Sequence, residues 1–290
     1  MSATHNPEQA MTIKQALSSA HAMGIDQLDA QLLLLFALGR TSRERAWLLA
    51  HDNDSILPDE QNQFLALMQR RAIGVPVAYL IGEKEFYGLP FTVDKRVLIP
   101  RPETELLVEW ALELIDADPT KQKILDLGTG SGILAVTLKH ERPALEVTAV
   151  DISEEALIVA KLNASALLPA GQQIRFLHGK WFSPLFNETE AEKFNLIISN
   201  PPYIAAEDEH LKALTNEPQN ALVSGSDGLD DIRQIISEAK RHLLPESCLM
   251  LEHGYNQASA VQALMKTAGF QNIETRPDLA GVDRATTGTI

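Results

Sequence analysis

Ile124-Leu125-Asp126-Leu127-Gly128-Thr129-Gly130-Ser131-Gly132 is a short, mostly apolar run that breaks into three alternating glycines, and residues 133–140 continue it with helical spacing. This order reads as a buried strand, a tight turn and a helix, the repeating unit of a parallel sheet. Three glycines let a ligand come close to the backbone. The free N–H groups that open the next helix then meet a polar or anionic group of that ligand.

Working outward, apolar runs at 147–150, 174–177, 194–199 and 248–252 alternate with helical stretches. Such alternation is the signature of a parallel sheet covered by helices on both faces. Two more β-like segments, 272–276 and 285–290, follow the last helix with no helix between them, so they are expected to pair antiparallel. The expected fold class is therefore α/β: a seven-stranded, doubly wound, Rossmann-like sheet with an antiparallel last strand. An amphipathic helix over 103–115, with acids in its first turn, precedes it.

Upstream the pattern differs. Segments 12–23 and 26–38 end at Gly24 and Gly39, Thr41 and Glu44 have capping-box spacing, and Pro58 suits the first turn of a helix over 58–73. Leu, Ala and Phe at helical spacing are core formers, and nothing there resembles a catalytic constellation. Strand-like pieces follow at 77–81, 84–87 and 91–93, with Gly82, Gly88 and Pro90 as turn signals. The expected organisation is a small helical recognition domain over 1–75, a linking β-hairpin over 76–100 and the α/β domain over 101–290.

Composition sets limits on function. The 290 residues carry 25 Lys plus Arg against 39 Asp plus Glu, a net charge of −14, which repels a phosphate backbone. Residues 101–290 hold 16 basic and 28 acidic residues, so the acidity sits in the α/β domain. Cys248 is the one cysteine, which excludes an intramolecular disulfide and a cysteine-based structural metal site and fits a reducing cytoplasm. The longest purely apolar run, 32–38, is far short of the roughly 20 residues a membrane span needs. The opening stretch, polar over 2–9, is no secretory signal. A cytoplasmic monomer is expected, with no membrane and no direct nucleic-acid partner.

Asp151, at the end of the second α/β strand, lies 23 residues after Gly128, where a carboxylate can accept both ribose hydroxyls. The dinucleotide fingerprint needs a glycine where Ile133 stands, and no Gly-Lys-Ser/Thr follows the turn, so NAD is disfavoured and a nucleoside triphosphate loop excluded. A ligand with a ribose but no pyrophosphate fits better, and S-adenosylmethionine is the obvious one.

The strongest signal is Asn200-Pro201-Pro202-Tyr203, directly after the strand 194–199. Two prolines stiffen the chain and leave carbonyl acceptors without competing donors. The Asn200 side-chain oxygen and the Pro201 carbonyl together can accept both hydrogens of a planar NH2 group, with the Tyr203 ring as a flat face for stacking. Amide and aryl amine nitrogens are poor nucleophiles because their lone pair is delocalised. Acceptors set off the amide plane favour a pyramidal nitrogen, and alignment with a methyl donor supplies the rest.

With these residues in place the chain resembles the S-adenosylmethionine-dependent methyltransferases in their amino-nitrogen branch. Pro100-Arg101-Pro102-Glu103-Thr104-Glu105, Trp181-Phe182, Glu217-Pro218 with Ala221-Leu222, and Leu251-Glu252-His253-Gly254 narrow the resemblance to the peptide chain release factor N5-glutamine methyltransferases. The likeness covers nearly the whole chain. It implies methylation of the glutamine side-chain amide in the Gly-Gly-Gln motif of class 1 peptide chain release factors. Carried over by position, Gly128, Thr129, Gly130, Ser131 and Gly132 lie along the cofactor, Asp151 takes its ribose and Trp181 packs near its adenine. Asn200, Pro201, Pro202 and Tyr203 hold the glutamine, with Asn200, Pro201 and Tyr203 as the catalytic set and Asn200 also bordering the cofactor. Lys180 departs from the family's usual Asp before the Trp, and Ala285-Thr286-Thr287 is more polar than the usual strand.

Three rivals stand beside this reading, and the first, a non-enzymatic cofactor-binding scaffold, is disfavoured because it needs no acceptors for an NH2 group such as Asn200 to Tyr203 supply. A ribosomal-protein glutamine methyltransferase shares these motifs and differs mainly in its recognition domain. A nucleic-acid amino-methyltransferase uses the same Asx-Pro-Pro-Tyr logic on a flipped base. It needs a basic face, whereas residues 1–75 hold six basic and eight acidic residues. The eight histidines show no paired metal-ligand spacing, so no metal is expected. His253 is read either as bordering the site or as structural, Cys248 as a buried small residue, and Arg101 and Glu103 as lying near the substrate entrance.

Overall fold

Alternation along the central strands decides which side chain enters which layer. The computed structural model describes residues 11–115, 122–185 and 191–290, so the polar opening over 2–9 lies outside the described residues. The chain divides into two units, one closing at Gly82 and the other running Glu83–Ile290.

The first unit is helical: α1 (Ile13–Ala22), α2 (Gln27–Ala37), α3 (Arg45–Ala50), α4 (Pro58–Ala72) and the short α5 (Val77–Ile81). Of its N-terminal caps, the Thr41–Glu44 box is the one expected from spacing. Thr12 and Gln15 form a capping box, Asp26 accepts from the Leu28 N–H, and Thr41 with Glu44 boxes a 3-10 turn that leads into α3. Leu33, Leu34, Phe64, Met68 and Leu80 share one core. The segment 77–81, expected as a strand, is instead a helical turn. Pro76 presets its first φ, Leu80 packs into the helical core, and Gly82 ends it at φ +82° with its N–H donating to the Ala78 carbonyl. Packing overrides the β preference of Val and Ile here.

The second unit opens with the hairpin β1 (Glu83–Phe86) and β2 (Leu89–Thr92). Tyr87 and Gly88 both have positive φ, as a two-residue turn of matching twist requires. The hairpin is not a free linker. Phe86 and Phe91 enter the main core, and Asn163, fully buried in a later helix, bonds both the Thr92 N–H and the Thr92 carbonyl while also donating to the Ser131 carbonyl. A 3-10 turn at Pro102–Thr104 then leads into α6 (Glu105–Leu114).

The seven-stranded sheet comprises β3 (Lys123–Leu127), β4 (Glu146–Asp151), β5 (Ile174–His178), β6 (Phe194–Ser199), β7 (Leu243–Glu252), β8 (Gln271–Pro277) and β9 (Asp283–Thr289), in the order β5-β4-β3-β6-β7-β9-β8. β9 runs antiparallel to both neighbours and the others pair parallel. Ile124, Leu196, Ile198 and Met250 face a layer with Leu107, Trp110 and Leu134 from α6 and α7 (Ile133–Glu141). Leu125, Leu127, Ile197, Leu249 and Leu251 face the other, with Ile232 and Ile235 of α9 (Asp230–Ala239) and Val261 and Met265 of α10 (Ala258–Thr267). α8 (Glu154–Leu167) follows β4.

β7 starts five residues before the expected 248. Pro245 and the left-handed Glu246 make an irregularity opposite Phe194–Leu196, a break that reads in sequence as a strand end. The polar segment 285–287 is buried and satisfied: Thr286 Oγ1 meets His253 Nε2 and Thr275 Oγ1, and Thr287 donates to the Leu249 carbonyl. The strand order reverses between β3 and β6, which is where an open α/β sheet leaves a crevice for ligands.

Candidate active site

β3 and β6 are adjacent and in register, with Leu127 opposite Ser199, and the buried Ser199 hydroxyl donates to the Leu127 carbonyl at 2.6 Å. The next residue of each strand is therefore Gly128 on one side and Asn200 on the other. Two motifs 72 residues apart in sequence meet at the switch point of the sheet.

Gly128, Gly130 and Gly132 all have positive φ. The Gly128 and Thr129 N–H groups converge on the Val150 carbonyl, and Gly130 N–H donates to Asp151 Oδ2 at 2.8 Å. Asp151 Oδ1 accepts from Ser153 N–H at 2.8 Å. Burial pushes the Asp151 carboxyl above the usual range, against these backbone donors. Each oxygen keeps a lone pair for a ligand hydroxyl, so the carboxylate both braces the glycine loop and faces the cavity.

Asp126, inside the quoted strand, is a loop organiser that sequence reading gave no role. Its Oδ2 accepts from the Thr129 hydroxyl at 2.6 Å and from Ala135 N–H at 3.2 Å, while Oδ1 is buried without a partner. Burial raises it to about 7.

A cavity of about 290 Å³ opens over this loop, lined among others by Gly128, Gly130, Asp151, Trp181 and Asn200. Trp181 has a left-handed backbone, φ +48°, and its ring lies against Gly128, where an added Cβ would stand 3.2 Å from the ring. Strain of this kind persists only where the surroundings hold it. Here Trp181 Nε1–H donates to Asp231 Oδ1 at 3.2 Å, and Ser224 donates to Asp231 Oδ2 at 2.8 Å. Lys180 Nζ lies 3.8 Å from the same carboxylate. Position 180 thus brings a base, but α9 delivers an acid, Asp231, into the same cavity. An apolar ring, a glycine floor and two carboxylates fit a nucleoside-bearing ligand.

Asn200 also lines a second cavity of about 210 Å³ with Arg101, Pro201, Tyr203 and Leu222. It is thus common to both cavities, together with Leu98 and Ala221. Asn200 Nδ2 donates to the buried Thr104 hydroxyl oxygen at 3.0 Å, which leaves Oδ1 as its free acceptor. Tyr203 Oη donates to Glu252 Oε1 at 3.1 Å, and burial beside that carboxyl raises the phenol and keeps it protonated. The Tyr203 carbonyl accepts from Gln257 Nε2 at 3.0 Å, and a Cβ on Gly228 would stand only 2.3 Å from it.

Of the residues expected near the entrance, Arg101 lines the second cavity and is anchored to the buried Glu217 at 2.6 Å, whose other oxygen accepts from Ile99 N–H. Glu103 lines a different groove, with Glu105, Glu109 and Leu279. His253 lines neither cavity. It is fully buried, bonded to Thr286 and the Gly254 carbonyl, and lowered by burial, which is the structural of its two readings. Among the described residues no group of three or more His, Cys, Asp or Glu is arranged to hold a metal ion.

Comparison with known proteins adds to this geometry. Residues 103–229 match the methyltransferase small domain family and residues 11–82 the PrmC N-terminal domain family. Over 276 residues the chain is 45% identical to a release factor glutamine methyltransferase of Burkholderia pseudomallei, covering 93% of this chain and 94% of that one. The enzyme of the same name from Pseudomonas aeruginosa is 46% identical over 266 residues, 90% of this chain and 92% of the other. The crystal structure of a methyltransferase from Pyrococcus furiosus shares the fold at 15% identity, with a TM-score of 0.52 over 79% of this chain and 98% of that one.

Proposed function

Because the chain belongs to the release factor glutamine methyltransferase family, we propose that it methylates the side-chain amide nitrogen of the glutamine in the Gly-Gly-Gln motif of class 1 peptide chain release factors, with S-adenosylmethionine as methyl donor. One observation carries the reading. Asn200 is the polar side chain among the three residues, with Leu98 and Ala221, that line both cavities, and its NH2 is taken up by Thr104, so an amide acceptor stands where donor and substrate compartments meet.

In this reading the larger cavity holds the cofactor. Asp151 takes the ribose hydroxyls, Gly128 to Gly132 lie along the methionine end, and Trp181 packs on the adenine. Asp231 stands in for the acid missing at 180. S-adenosylmethionine, when bound, supplies an electrophilic methyl group on a sulfonium.

The smaller cavity takes the glutamine side chain. Asn200 Oδ1 and the Pro201 carbonyl accept its two amide hydrogens, and the Tyr203 face supports the amide plane. These acceptors draw the nitrogen away from planarity and release lone-pair density, a stabilisation realised most fully in the transition state. The prolines and the Gly228 contact to the Tyr203 carbonyl fix the loop, so catalysis rests on positioning. The methylated amide loses one proton to water or a carbonyl, and no side-chain base is needed.

The helical unit would recognise the release factor. Support comes from its match to a distinct N-terminal domain and from Leu49, Leu57 and Ile73, which are large, apolar and exposed. No helix among the described residues is long and apolar enough to cross a membrane. We read the protein as a cytoplasmic monomer whose substrate is a protein and not a nucleic acid.

The test is methyl transfer to three acceptors side by side: a class 1 release factor, a ribosomal protein mixture and adenine-containing DNA. Methylation of the release factor, lost when its Gly-Gly-Gln glutamine is replaced, supports the proposal. Methyl only on a ribosomal glutamine moves the partner, and methyl only on DNA overturns the substrate class.

A further inference from the structure

The chemistry above gives the target amide two acceptors for its hydrogens and a ring for its plane, and leaves its carbonyl oxygen without a partner. That oxygen needs a donor once it leaves water. Among the side chains lining the smaller cavity, Asn200 has turned its NH2 to Thr104, and Tyr203 gives its single proton to Glu252. The others are apolar, save Arg101.

Arg101 is held and only partly used. Its Nη2 donates to Glu217 Oε1 at 2.6 Å, and among the described residues its side chain makes no other hydrogen bond. A guanidinium carries several N–H groups, so most of its donors remain. The Arg101 side chain is 33% exposed, whereas that of Glu217 is 4% exposed. Glu217 is itself fixed, for its Oε2 accepts from the Ile99 N–H at 3.1 Å. It lies between Leu214 and Leu222, which line the same cavity. The ion pair therefore ties the segment 99–101 to the segment 214–222 that supplies part of the wall.

We propose that Arg101 and Glu217 together read the oxygen of the target side chain: Arg101 donates to the amide carbonyl, and Glu217 cancels the charge that would otherwise favour a carboxylate. The inference rests on the reading of Asn200 to Tyr203 as the amide cradle and deepens it by assigning the choice of amide over acid.

This set of partners matches a carboxamide at every polar atom. Its two hydrogens go to Asn200 Oδ1 and the Pro201 carbonyl, and its oxygen goes to Arg101. A glutamate side chain has no proton for those two acceptors and brings a charge that Glu217 repels. An unpaired guanidinium would offset that cost and hold the acid. It would also draw electron density to the oxygen and away from the nitrogen that must attack the methyl group. Pairing with Glu217 limits both effects.

The experiment compares the binding of two release factors to the full chain saturated with S-adenosylhomocysteine, which has no methyl to transfer. One carries Gly-Gly-Gln, and in the other the target glutamine is replaced by glutamate. Wild type should bind the glutamine form about 10-fold or more tightly than the glutamate form. Arg101→Met should weaken the glutamine form by roughly 10- to 100-fold. Glu217→Gln keeps the shape of the pair and removes its negative charge. It should tighten the glutamate form by roughly 10-fold and bring the ratio of the two affinities close to one.

An Arg101→Met variant that binds the glutamine form as wild type does overturns the inference. If that variant does not fold because Glu217 has lost its partner, an unchanged ratio in Glu217→Gln overturns it instead. A merely structural ion pair would weaken both forms together and leave the ratio where it was. Methyl transfer by the wild type separates the two levels. No transfer to the release factor glutamine sinks the reading of the site and this inference with it, whereas transfer beside unmoved ratios removes only the roles of Arg101 and Glu217.

Discussion

Gly128→Ala isolates the packing of Trp181 on the glycine loop. Gly128 has φ +72°, and an alanine there meets the left-handed penalty of about 1–2 kcal/mol, offset by roughly 0.4–1 kcal/mol of lost unfolded-state entropy. The net strain is on the order of 1 kcal/mol. In a unit of this size that lowers Tm by about 2–4 °C. Gly281, in the turn between β8 and β9, has φ +79° and nothing within 4 Å of an added Cβ, so Gly281→Ala carries the same strain and nothing more. At Gly128 the new Cβ stands 3.2 Å from Trp181 Cζ3, inside the roughly 3.5–4.0 Å optimum for carbon pairs. The ring must retreat by a few tenths of an ångström, against its bond to Asp231 at 3.2 Å. A ring moved that far gives up dispersion contact with whatever it covers, about 1–2 kcal/mol or roughly 5- to 30-fold in cofactor affinity. Calorimetric titration with S-adenosylmethionine and thermal unfolding on both variants provide the assay. Equal affinities for Gly128→Ala and Gly281→Ala would refute the packing argument.

Asn200→Ala should lower kcat by about 10²-fold or more, with cofactor affinity within a few-fold of wild type; comparable losses in both would move Asn200 out of the substrate role. Asp151→Ala should do the reverse, weakening cofactor binding by roughly 10- to 100-fold in direct titration, since it removes charge-assisted acceptors and the Gly130 anchor. Asp126 makes stability depend on pH. Its folded carboxyl sits at about 7, above the ordinary 3.8, so the folded state binds more protons in that window. Stability must then fall as pH rises from about 4 through 7, by up to roughly 4 kcal/mol from this group. Glu252 and Asp151 shift the same way. Urea unfolding at both ends of the window should show a shallower decline in Asp126→Asn than in wild type, and an identical slope would contradict the assignment.

Much of this was legible because each strand carries its own punctuation. The glycines after Leu127 and the prolines after Ser199 mark strand ends by local rules, and Asp151 follows from one strand's length. The Thr41–Glu44 box and the closing glycines Gly24 and Gly39 are likewise read within four residues. The segment 77–81 was misread because its apolar β-branched composition suits a strand, whereas Pro76, Gly82 and the seat offered to Leu80 make it a turn of helix. The early part of β7 was hidden by Pro245 and Glu246, which look like an end and are a bulge.

Thr104, Asp231 and Glu252 were out of reach for a different reason. Thr104 and Glu252 lie within the quoted motifs, yet their partners Asn200 and Tyr203 are 96 and 49 residues distant. Asp231 meets Trp181 across 50 residues. Only the sheet order brings these groups together. Lys180 illustrates the converse, since its departure from the family pattern matters less once α9 supplies the carboxylate.

The central claim is that Asn200 and Pro201 hold a glutamine amide for methylation at nitrogen. The most direct measurement is fragmentation mass spectrometry of the Gly-Gly-Gln peptide from a class 1 release factor after reaction with methyl-labelled S-adenosylmethionine. The account predicts one labelled methyl on the side-chain amide nitrogen of that glutamine, absent when Asn200→Ala replaces the wild type. Label on any other atom of the release factor, or an undiminished yield with Asn200→Ala, would contradict it.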